Sequence, residues 1–150
     1  MSATPAERGL SMPAEWEPHE RTLMAWPCRT SLWAGRFDQA KTEYAAVANA
    51  IAEFEPVAMA VGGPREADEV REVCSANVEP LELPTNDSWM RDHGPIFVVS
   101  DDRRERVGVH FRFNAWGGKF APFDRDERSG GVLASRYGDE VVAAPIVLDG

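Results

Sequence analysis

The feature that most restricts the fold is the stretch from Phe37 to Pro64. Phe37, Ala40, Tyr44, Val47, Ala48, Ile51 and Phe54 recur at the three–four spacing of one buried helix face. Lys41, Glu43, Asn49 and Glu53 fall elsewhere on the wheel. Pro56 ends the helix, since proline brings no N–H for the next bond and its ring crowds the preceding turn. The apolar run Val57–Val61 follows at once, reads as a short buried strand, and closes on the turn Gly62-Gly63-Pro64.

The same alternation continues on both sides. Thr22–Trp26 reads as a strand between prolines, and residues 65–74 as a second helix with Ala67, Val70, Val73 and Cys74 inward. Val78–Leu83 is a strand stopped by Pro84. Ile96–Val99 and Val107–Phe113 flank the charged turn 100–104 and predict a hairpin. Its second strand sets Val107, Val109, Phe111 and Phe113 on one face and Gly108, His110 and Arg112 on the other. A Gly-containing loop spans 114–123, a helix interrupted by Gly130-Gly131 spans 124–138, and a last strand spans 141–148. Mixed strands and helices in this order predict an α/β or α+β fold. Residues 1–11 are small or polar and are expected to be loose; residues 12–150 form the folded part. The chain stops at Gly150 directly after a strand, which reads as a truncation.

Formal charge is −9, spread without an acidic tail or basic half, which disfavours nucleic-acid binding. No apolar run is long enough for a signal peptide or a membrane span, so the expected location is the cytoplasm. Cys28 and Cys74 form no CxxC pair and lie near no histidine cluster, so neither a disulfide framework nor a structural metal is expected. No cofactor is implied.

Chemistry concentrates in Asn86–Pro95, NDSWMRDHGP, where Asp87, Trp89, Arg91, Asp92 and His93 precede a strand. A carboxylate accepts two parallel N–H bonds from a planar guanidinium, and aromatic faces add cation–π attraction. Asp92 with Trp89 and Trp116 could supply that chemistry, although composition alone points rather to an internal ion pair of Asp92 with Arg91 or another arginine. His93 alone says little, His110 reads as a surface residue, His19 as a cap or packing group, and Trp16, Trp26 and Trp33 as core. Cys74 sits near a helix C-terminus, the wrong end for a thiolate, and Cys28 lacks a clear activator; both read as structural.

MPAEWEPHERTLMAWP at 12–27, NDSWMRDHGP at 86–95 and FNAWGGKF at 113–120 closely resemble the agmatine deiminase and bacterial-type peptidyl-arginine deiminase family. The resemblance implies a pentein-type α/β propeller, of which this chain would hold about the first two of five modules. It implies a hydrolase converting agmatine and water to N-carbamoylputrescine and ammonia, toward putrescine, through a cysteine nucleophile absent from these residues. It assigns guanidinium binding to Asp92, assistance to Asp149 where the family has glutamate, and pocket contacts to Trp89 and Trp116. The implied partner is a small cationic guanidine, with no nucleic acid and no membrane; a homo-oligomer stays open. Free or peptidyl arginine as substrate, and a non-catalytic guanidine-binding fragment, remain alternatives.

Overall fold

The computed structural model describes residues 3–148, and these divide into two units, each built on a three-stranded sheet. One unit comprises residues 19–90 and 122–126. Its strands β1 (Thr22–Ala25), β2 (Val57–Val61) and β3 (Val78–Glu82) are parallel, in register from Thr22 opposite Val57 and Val57 opposite Val78. The crossovers are helices α1 (Phe37–Ala52) and α2 (Pro64–Val73), as parallel neighbours require. All five residues of β2 are buried, which is why its sequence carries no polar alternation.

The face that α1 buries matches the expected one at Ala40 and Ala48 and departs from it at Val47 and Phe54. Ala40, Ala45, Ala48 and Ala52 are its buried residues, whereas Val47 is half-exposed and Phe54 is 88% exposed beyond the helix end. Four alanines let the helix axis come close to the sheet, and the larger Tyr44 and Ile51 pack at the margin of the core formed by Trp26, Val57, Met59, Val61, Val70 and Val78. Of the expected core tryptophans, Trp26 is buried, Trp33 packs edge-on against Tyr44, and Trp16 is 89% exposed.

The other unit comprises residues up to Pro18, then 91–121 and 127 onward. Strands β4 (Ile96–Val99) and β5 (Arg106–Arg112) form the expected antiparallel hairpin. Strand β6 (Glu140–Val147) joins β5 in parallel through the crossover helix α5 (Asp124–Tyr137). That helix runs without a break through Gly130-Gly131, contrary to the expected interruption. Its glycines are seats for close packing: a Cβ on Gly130 would stand 2.7 Å from the His93 carbonyl oxygen and 2.9 Å from His110 Nδ1. Across the same face Gly108 of β5 sits against Ala134. His110, expected at the surface, is therefore half-buried against α5.

The N-terminal segment, expected to be loose, is held to this sheet among the described residues. Leu10 is buried with Val107 and Val109, Ser11 bridges Val99, and Arg8 pairs with Glu105 and Glu140. A short polar sequence hid one well-placed leucine. No helix among the described residues is long and apolar enough to cross a membrane.

Candidate functional site

The residues singled out by sequence lie on two short segments. The first is the stretch after β3. Its backbone is held by a reciprocal clamp: the Asp126 carboxylate accepts from the amides of Asn86 (2.7 Å) and Asp87 (3.3 Å), and the Asn86 side-chain oxygen accepts from the amides of Arg125 and Asp126 at the start of α5. Asp87 in turn accepts from the Ser88 amide, and the Tyr44 hydroxyl reaches Ser88. Asp126 and Asp87 are both nearly inaccessible to solvent. Burial pushes the Asp126 carboxyl up to about 6; the backbone bonds from Asn86 and Asp87 oppose this, and the nearby Asp87 charge adds to it. Burial also raises the Asp87 carboxyl, against its hydrogen bonds and Arg29. Asp126 is a residue the sequence reading missed. An aspartate in the first turn of a helix is a common N-terminal signal, but nothing in it told of a partner forty residues away. Trp89, at the end of this stretch, is 45% exposed.

The second segment belongs to the other unit. Asp92 is half-buried on α3 (Met90–His93), a single helical turn. Arg91 is exposed and its guanidinium meets Glu15 at 3.1 Å. His93 is buried, its Nδ1 2.7 Å from the Ser129 hydroxyl, and its ring meets Phe113 edge-on at 5.8 Å. Phe113 meets Trp116 at 5.4 Å, and Trp116 meets Phe120 at 5.6 Å, both edge-on. Trp116 lies in the short turn α4 (Ala115–Gly118), which is no regular helix. Ala115 and Trp116 carry φ of 52° and 53°, and Gly117 and Gly118 continue the left-handed run. Asn114 caps it by accepting from the Gly117 amide at 2.8 Å. Asp149 lies outside the described residues.

Burial raises the thiols of Cys28 and Cys74; at Cys28 the charges of Asp87, Asp126 and Glu66 raise it further, against a contact to Thr85. An open cavity of ≈ 710 Å³ lies at the C-terminal ends of the parallel strands, lined by Cys28, Lys41, Gly63, Glu69, Asn86 and Arg125 among others. Trp89, Asp92 and Trp116 do not line it. On its wall Lys41 pairs with Glu69, and Glu66 accepts from the Gly62 amide. Among the described residues no group of three or more His, Cys, Asp or Glu side chains could hold a metal ion.

The comparisons agree with one another. A Legionella pneumophila relative is 41% identical over the whole chain, which spans 43% of that protein. The agmatine deiminase of Pseudomonas aeruginosa is 40% identical over 85% of the chain, which covers 35% of it. The solved agmatine deiminase of Enterococcus faecalis superposes with a TM-score of 0.88 at 32% identity, over 99% of this chain and 42% of that one. The chain thus spans less than half the length of these relatives. The model of the Porphyromonas-type peptidyl-arginine deiminase family matches residues 11–150, and the chain belongs to that family.

Proposed function

We propose that the protein carrying this chain is an agmatine deiminase, hydrolysing agmatine to N-carbamoylputrescine and ammonia in the cytoplasm. The whole-chain likeness to agmatine deiminases, at 32% identity and a TM-score of 0.88 for the solved enzyme, carries this reading. In this reading Asp92 grips the guanidinium through paired N–H···O bonds, Trp89 and Trp116 flank it, and Asp149 assists. A cysteine other than Cys28 and Cys74 attacks the guanidinium carbon, ammonia leaves, and water cleaves the amidino-cysteine to release the urea product and regenerate the thiol. The raised thiols of Cys28 and Cys74 support excluding both, and the 150 residues alone are read as inactive. We also read the two units as the first two of five modules of a pentein-type propeller. Val141, Ile146 and Val147, which β6 leaves exposed, support a further element packing there.

Ammonia release by the purified whole protein, with mass analysis of the product, tests this. Asp92→Ala removes one partner of a desolvated ion pair, a loss on the order of 3–5 kcal/mol, so kcat/KM for agmatine falls by about three orders of magnitude with the fold intact. Activity near wild type in that variant refutes the role of Asp92. Turnover of free or peptidyl arginine in preference to agmatine refutes the substrate but keeps the chemistry.

A further inference from the structure

A helix of one turn cannot hold its own shape, because a single turn orders several dihedrals for one or two hydrogen bonds. The position of Asp92 on α3 must therefore be fixed from outside, and its neighbour His93 is one point of attachment, with the Arg91–Glu15 pair another. His93 is 3% exposed and Ser129 0%. The Ser129 hydroxyl lies 2.7 Å from His93 Nδ1 and 3.4 Å from the His93 carbonyl oxygen. With the hydroxyl hydrogen donated to that carbonyl, its oxygen accepts from Nδ1–H, so one side chain of α5 holds both the ring and the backbone of the residue after Asp92. Gly130 beside it lets α5 come this close, since any Cβ there would strike the His93 carbonyl oxygen at 2.7 Å. The other side of the imidazole bears on Phe113, and Phe113 bears on Trp116. One buried ring thus ties the Asp92 turn to the Trp116 turn.

We propose that His93 and Ser129 are positioning residues that together fix the Asp92 carboxylate and the Trp116 ring at the separation a guanidinium substrate needs. This rests on the proposed guanidine chemistry for its substrate, though not for its geometry. A residue that merely fills the core would alter stability and leave substrate affinity alone.

The test uses the whole protein with Ser129→Ala, Gly130→Ala, His93→Leu and His93→Asn. Asparagine keeps an N–H donor near the place of Nδ1, and leucine does not. Steady-state kinetics with agmatine and crystal structures of the variants are both read. The expected result is a KM raised about tenfold in Ser129→Ala and His93→Leu with kcat within about threefold, the two losses non-additive when combined, and His93→Asn recovering most of the affinity. In the crystals Asp92 is displaced in Ser129→Ala and Gly130→Ala. Unchanged KM in Ser129→Ala and His93→Leu overturns the proposal, as does an Asp92 carboxylate left in place in Ser129→Ala. A wild-type protein idle on agmatine would instead defeat the functional reading, and the displacement of Asp92 would then decide the positioning claim by itself.

Discussion

Replacing Asp126 by asparagine should stabilise the protein near neutral pH and lose that advantage in acid. Asp126 binds its proton more tightly in the folded state, at about 6, than at its ordinary value of 3.8. Protonation therefore favours folding. The contribution of this group is largest below about pH 4, is lost as pH rises toward 6, and stays lost above that. A shift of about two units corresponds to about 3 kcal/mol at neutral pH. Asparagine removes the buried charge and keeps an oxygen that can accept from the Asn86 and Asp87 amides, so the clamp survives. Urea unfolding followed by tryptophan fluorescence at pH 8 and pH 4 should give Asp126→Asn a lead of up to about 3 kcal/mol at the higher pH, shrinking toward zero at the lower. Asp126→Ala leaves two amides without their acceptor and should lose about 1–3 kcal/mol at pH 4. An asparagine variant less stable than wild type at pH 8, or one whose difference does not change with pH, would refute the account of Asp126 as a buried, charge-penalised clamp.

Two further outcomes follow from the geometry. At position 116, glycine should give a more stable protein than alanine by about 1 kcal/mol, reversing the usual order, because both lose the ring contacts but only alanine keeps a left-handed Cβ; paired thermal melts check it. Cys28→Ala and Cys74→Ala should each leave ammonia release within about twofold, and a large loss in either would mean that the raised thiols misrepresent the active state.

The strands and helices were legible because each rests on local chemistry. Pro56 and Gly62-Gly63 punctuate, Val57–Val61 announces a buried strand, and the sequence Val107–Phe113 alternates. What failed depended on partners distant in sequence. On α1 the expected face holds at Ala40, Tyr44, Ala48 and Ile51 but not at Val47 and Phe54, because alanines make the close approach and leave those two outside. Gly130-Gly131 looked like a break because a glycine costs helix stability, a local term outweighed by the packing of α5 on His93 and His110. Among the candidate residues, Asp92, Trp89 and Trp116 are singled out by motifs. Asp126, Ser129 and the tie through Phe113 are not, since each is a pairing across roughly 20 to 40 residues with no local signature.

The turn at 115–118 shows why a motif can outlast its local cost. Consecutive left-handed alanine and tryptophan residues cost on the order of 1–3 kcal/mol each, and glycine at either position would remove the penalty. The indole at 116 is half-buried and meets Phe113 and Phe120 edge-on. The turn persists because Asn114 satisfies its Gly117 amide and because the Phe113–Trp116–Phe120 chain anchors its side chain. What the backbone conformation provides is a single fixed direction for the indole, with Gly117 and Gly118 completing a bend that no other residue could follow without further strain. In the proposed reading, that fixed indole, linked through Phe113 to the buried His93 and so to the Asp92 turn, is the face that a flat cation would meet.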